Sequence, residues 1–127
     1  WVLSCSGLGV PQKINFDITG NSNYDAPRMS SNDNSTASFE LTGLTPATAE
    51  YDMTASYQRI GTQQSKVFNK NSFTSTTIIT SDNLKVDKIT QLITSGTAAA
   101  SISGSSSSGK TFTPLRYIFT KSTMLSL

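Results

Sequence analysis

Apolar and polar residues alternate along much of this chain. From Lys13 to Thr19, Ile14, Phe16 and Ile18 fall on one side and Asn15, Asp17 and Thr19 on the other. That period of two predicts a half-buried strand. A second strand is expected over Ala37 to Leu41, with Phe39 and Leu41 inward. The clearest runs from Tyr51 to Tyr57, where Tyr51, Met53, Ala55 and Tyr57 oppose Asp52, Thr54 and Ser56. Its partner is expected over Lys66 to Phe68 and again over Ser72 to Thr80, where β-branched residues dominate. From Thr111 to Thr120, Leu115, Tyr117 and Phe119 alternate with Arg116, Ile118 and Thr120.

The intervening segments read as turns and loops. Gly20 to Thr36 reads as a long polar loop with a short edge strand near Tyr24 to Met29, since Pro27 argues against a central strand. Gly43 to Pro46 reads as a turn, and Arg59 to Gln64 as a polar hairpin loop around Gly61. Ser81 to Gly96 supports two readings. Ile89, Leu92 and Ile93 fit one face of a short helix in 82–94, capped by Ser81 or Asp82 and closed by Gly96. Alternatively, Leu84 and Val86 lie on one strand and Ile89 to Thr94 on another, which agrees better with the β character elsewhere. Ser103 to Gly109 reads as a Ser/Gly-rich loop or tether, not as a phosphate loop, and Lys110 to Leu127 as a C-terminal β segment. The whole predicts one all-β domain over residues 1–127, an antiparallel sandwich or barrel.

Composition narrows the chemistry. Serine and threonine make up 39 of 127 residues, whereas charged residues are only 14% and the net charge is +2. Ten scattered Lys and Arg do not form the basic patch of a nucleic-acid binder. No run of about 18 apolar residues forms a transmembrane segment. The chain has no His and one Cys. Ser-His-Asp and Cys-His catalysis are therefore excluded, and a zinc site lacks its ligands. A pair of carboxylates is the remaining catalytic device. Its two Glu, Glu40 on the outer side of a strand and Glu50 beside a turn, do not suit a shared cleft. No enzyme activity and no cofactor are expected.

Cys5 stands in Val2-Leu3-Ser4-Cys5-Ser6-Gly7, which resembles the tail of a bacterial lipoprotein signal and would make Cys5 a lipidation site. A buried strand cysteine is the reading we favour on so short a match.

Thr36-Ala37-Ser38-Phe39-Glu40-Leu41-Thr42-Gly43-Leu44-Thr45-Pro46-Ala47-Thr48 resembles the fibronectin type III family, with its strand and Leu-x-Pro-x-Thr corner. Tyr51 stands near the family's corner tyrosine, one residue later than usual, and Phe73 to Thr77 resembles the closing strand. The resemblance covers about residues 36–77. It implies an immunoglobulin-like antiparallel β-sandwich, with Leu44 plugging the core, Tyr51 tying the corner and Trp1 in the place of the core tryptophan.

Three functions fit these features to different degrees. The favoured one is a structural or adhesive module of an extracellular surface or filament protein. Its partner would be a protein or another copy of itself. Leu115, Tyr117 and Phe119 would complete a neighbour's sheet by strand addition, against the local alternative of folding back onto their own sheet. Asn34-Ser35-Thr36 is a glycosylation triplet, expected in a loop. The second is a carbohydrate- or protein-binding module of the surface-lipoprotein type. Tyr24 and Tyr57, with Trp1 and Tyr117, would offer stacking faces. Asp17, Asp25, Asn32 and Asp33 supply oxygen ligands for calcium but lack a spaced motif. An enzyme is disfavoured.

Overall fold

The computed structural model describes residues 1–121, with side chains over residues 1–112. Seven strands make up the described chain: β1 (Val2–Cys5), β2 (Pro11–Asp25), β3 (Met29–Thr42), β4 (Glu50–Ser65), β5 (Ser72–Asp87), β6 (Ile93–Ser106) and β7 (Thr111–Lys121). They form one antiparallel sheet in which every strand lies beside its neighbours in sequence. Short connections suffice for such an up-and-down meander, because antiparallel partners begin where their predecessors end. Pro27 occupies the tight turn between β2 and β3, where its missing N–H is harmless.

The all-β class is as expected. The described residues form a single sheet, and the second layer of an immunoglobulin-like sandwich is not among them. The helical reading of 82–94 is overturned. β5 continues to Asp87, a turn follows, and β6 begins at Ile93. Asp87 organises that turn: its carboxylate accepts the backbone N–H of Ile89 (3.0 Å) and of Thr90 (2.7 Å), and the Thr90 hydroxyl (2.9 Å). Side-chain bonding by an Asp favours a turn over helix continuation.

Three expected loops are also corrected. The stretch 20–36 is strand, turn and strand, with β2 and β3 paired without interruption from Lys13↔Thr42 to Asp25↔Ser30. The stretch 59–64 is the far half of β4, paired with β3 and β5, and the turn comes later, at residues 66–71. The proposed tether at 103–109 is half strand: β6 runs to Ser106 and a four-residue turn leads into β7. Of the C-terminal segment 110–127, residues 122–127 lie outside the described part.

Register divides the sheet into two unlike faces. Ile14, Phe16 and Ile18 pair with Leu41, Phe39 and Ala37, and these pair with Met53, Ala55 and Tyr57. Cross-strand partners share a face, so these nine residues form the centre of an apolar face. The expected sidedness of Ile14–Ile18 and of Tyr51–Tyr57 holds. β5 extends this face with Ile79, then shifts register between Met53/Ala55 of β4 and their partners. Beyond that bulge Leu84 and Val86 return to it. Asn83 has a positive φ of 47° at the bulge, and Gly96 on β6 faces it at φ 107°. The opposite face carries Thr, Ser and Asn, together with the ion pairs Lys13–Glu40 (3.0 Å) and Lys85–Asp52 (3.3 Å).

Among the described residues no apolar side chain is buried. Phe16 is 38% exposed, Ile79 44% and Ile18 54%, although all three lie on the apolar face. The sheet thus has the two-sided pattern of an antiparallel layer that packs on one face and is solvated on the other, with none of the described residues packed on the first. No helix among the described residues is long and apolar enough to cross a membrane, which bears on helical spans alone.

Candidate functional site

One polar cluster interrupts the apolar face. Asp33 on β3 sits directly opposite Gly61 on β4, and these two are the buried residues among those described, Asp33 at 9% exposure. Its Oδ1 accepts from Arg59 Nη2 at 2.6 Å and from Gln63 Nε2 at 3.0 Å. Arg59, Gly61 and Gln63 alternate along β4 and so project to one face, Asp33 lying across the middle position. Gly61 makes this possible: a Cβ there would lie 1.9 Å from Asp33 Oδ1. The carboxylate thus occupies the volume a side chain would take, and two donors satisfy it in place of water.

Gly20, Ser22, Ser35, Tyr57 and Arg59 surround this pair and line an open depression of about 230 Å³. It offers hydroxyls, one guanidinium and one aromatic ring, but no nucleophile with a base beside it. Among the described residues no three Cys, Asp or Glu side chains converge to hold a metal ion.

The residues singled out from sequence do not come together. Tyr57 borders the depression. Tyr24 lies on the same face, but Tyr57 aligns through Ala37 with Ile18, six residues from Tyr24, or roughly 20 Å along the strand. The two rings therefore do not form one stacking platform. Asn34 lies in the middle of β3, where its Oδ1 accepts from Asn21 Nδ2 at 2.7 Å, so the glycosylation triplet is in a paired strand, not a loop. Cys5 ends β1 and is free and exposed, so the favoured buried-cysteine reading is overturned. Trp1 precedes β1 and is solvent-exposed.

Asp17, Asn32 and Asp33 are separated by face, since Asp17 and Asn32 pair into the hydroxyl face. Asp25 is paired with Lys66 at the end of the sheet. Glu40 pairs across β3–β4 with Thr54, four residues from Glu50, or about 13 Å along the strand. Glu50 itself accepts the Thr94 hydroxyl at 2.6 Å.

Leu115, Tyr117 and Phe119 take register positions opposite Ile102, Ala100 and Ala98, so β7 lies against β6 of its own chain. Among the described strands, β7 and β1 each have one neighbour and form the two open edges. The run Gly104 to Thr111 fits the spacing of a phosphate loop, GxxxxGK[ST]. It spans the end of β6, a hairpin turn and the start of an antiparallel strand. The helix N-terminus that binds phosphate in such loops is absent from it. The reading of this run as something other than a phosphate loop therefore rests on its setting, not its spelling.

Sequence reasoning missed the Asp33–Arg59–Gln63 cluster. The signal available was the alternation Arg59-x-Gly61-x-Gln63, polar where the first half of the same strand is apolar. The chain matches no family model, and no curated protein or solved structure matches it.

Proposed function

We propose that this chain is a non-catalytic structural or adhesive module of an extracellular surface or filament protein, which assembles by adding strands at its open edges. The observation that supports this reading is the architecture itself, one meander with β1 and β7 unpaired on their outer sides. An open edge presents a row of backbone N–H and C=O groups ready to pair with another chain. Edge strands in proteins that stay monomeric are commonly short, charged or covered. β7 is eleven residues long and includes the alternating Leu115, Tyr117 and Phe119. The immunoglobulin-like sandwich that residues 36–77 resemble has two layers. In this reading the second comes from outside the described sheet.

The alternative is a carbohydrate- or protein-binding module. The depression beside Tyr57 and Arg59 favours it, but the distance between Tyr24 and Tyr57 removes the stacking surface on which it was built.

Light scattering over a concentration series tests the edge reading. The expected outcome is an open-ended series of masses, shortened by a synthetic peptide spanning Thr111–Lys121 that competes for the edge. A single mass at every concentration, unchanged by the peptide, would refute it.

A further inference from the structure

We propose that, beside the open edges, the apolar face forms a second and separate contact, at which two copies of this chain stack face to face about a twofold axis. A sheet with one apolar face must cover it with another element, and none of the described elements does so. The chain exposes 9197 Å², whereas a compact monomer of its mass exposes roughly 6,600 Å².

The face is large enough for a stable pair. Seven strands at about 4.8 Å, and some fourteen residues at about 3.3 Å, give roughly 30 by 45 Å. Overlap of the apolar halves, about 16 Å of strand across the sheet, covers roughly 500 Å², and the polar margins around them supply the rest of the roughly 800 Å² per partner of specific interfaces. Its relief suits sheet packing. Ala37, Ala55, Ala98 and Ala100 pair into rows with Phe39, Tyr57 and Ile79, giving the small and large neighbours that interdigitate across the roughly 10 Å between stacked sheets.

Charge favours self-pairing. Of the charged residues whose side chains are described, Asp33 and Arg59 are the two that register places on the apolar face within the sheet, and they neutralise each other. Lys13, Asp17, Glu40, Asp52 and Lys85 pair into the opposite face. The net charge of +2 therefore does not set two apolar faces against each other.

The polar cluster also argues for protein over lipid. On β3 the apolar positions run from Leu41 to Ala37 and give way to Ser35, Asp33 and Ser31. That is about 16 Å of apolar strand, short of the roughly 25 Å band of a lipid-facing barrel. A twofold axis through the apolar half, near Phe39 and Met53, stacks the apolar halves and leaves both Asp33–Arg59 pairs at the wet rim. This is the usual anatomy of an interface, an apolar core with a polar margin.

The test is light scattering on the full chain, with variants on each face. With its edges blocked by the Thr111–Lys121 peptide, the unmodified chain is expected to show a species of roughly twice 13.6 kDa. Ile18→Lys and Ile79→Lys should each weaken it by about thirtyfold or more, and Ile60→Lys on the opposite face should leave it intact. Hydroxyl-radical footprinting of the unmodified chain keeps the proposal testable should a variant fail to fold. With rising concentration, Ile18, Met53 and Ile79 should lose reactivity, while Ile60 and Ile78 keep theirs. A monomer at all concentrations, equal footprints on both faces, or equal disruption by Ile60→Lys would overturn the proposal. So would binding of the monomer to phosphatidylcholine vesicles, or dissociation of the pair by the Thr111–Lys121 peptide, which would place the contact at an edge.

Discussion

The ammonium of Lys88 stands 4.9 Å from the centre of the Tyr51 ring. The same nitrogen donates to the Thr45 carbonyl oxygen at 2.7 Å and to Thr48 Oγ1 at 2.8 Å, and the Lys88 backbone N–H donates to Ala49 at 3.0 Å. One residue after β5 thus fastens the β3–β4 turn to the sheet. Leu44 and Pro46 lie in the turn so held.

Replacing Lys88 by Met should therefore lower stability by about 1 kcal/mol, the sum expected of a part-exposed cation–π contact and net hydrogen bonds. Tyr51→Leu should remove part of the same contribution. The double variant should then lose less than the two singles together, a coupling that urea titration of all four proteins would measure. Strict additivity would show that the contact carries no energy.

Gly61→Ala should displace the Asp33 carboxylate from its two donors, because the new methyl group meets Oδ1. We expect a loss of roughly 1–3 kcal/mol, the range for a buried polar group left unsatisfied. Adding Asp33→Ala should restore much of it by removing both the clash and the stranded charge. Denaturation midpoints of the single and double variants decide this.

Asp87 gives the chain an acid-sensitive corner. The Thr90 backbone N–H chiefly, then the Thr90 hydroxyl and the Ile89 N–H, favour its ionised form and hold its carboxyl below the usual carboxylate range. A depressed carboxylate stabilises the fold above its unfolded value and loses that contribution as pH falls through the folded one. The turn at 88–92 should therefore loosen only as pH falls below the ordinary carboxylate range. Amide exchange at Ile89 and Thr90 should accelerate there first. Asp87→Asn should remove the pH dependence of that exchange.

Gly96→Ala should be costly. Its φ of 107° lies where L side chains are strained, and a Cβ would come 2.4 Å from the Asn83 carbonyl oxygen. A loss of about 1–3 kcal/mol is expected, read from thermal or urea unfolding. Gly7→Ala, with open space around it, serves as the control and should change little.

How far the residues revealed the fold depended on which half of a strand they occupied. The lower halves of β2, β3 and β4 place Ile14, Phe16, Phe39, Leu41, Met53 and Tyr57 at every second position, and the period of two was plain. In the upper halves both faces are polar. Asn21, Asn23, Asn32 and Asn34 carry turn chemistry in isolation, so the same strands looked like loops there. What holds them is pairing with neighbours distant in sequence, which a local window does not contain. Asp33 and Arg59, 26 residues apart, were hidden for that reason. Leu84 and Val86 were ambiguous because the bulge at Asn83 breaks the alternation that would have joined them to Ile79.

The bulge also changes how this chain tolerates alterations in length. Upstream of it the odd-numbered residues of β5 share the apolar face, and downstream the even-numbered ones do. Removing Asn83 alone would close the bulge and restore regular alternation, with Leu84 and Val86 still on the apolar face opposite Met53 and Tyr51. Removing it with one neighbour would turn both toward water and bring Lys85 into their place. Length changes are thus filtered by parity along the regular strands, and the bulge is the one place in β5 where the loss of a single residue is absorbed.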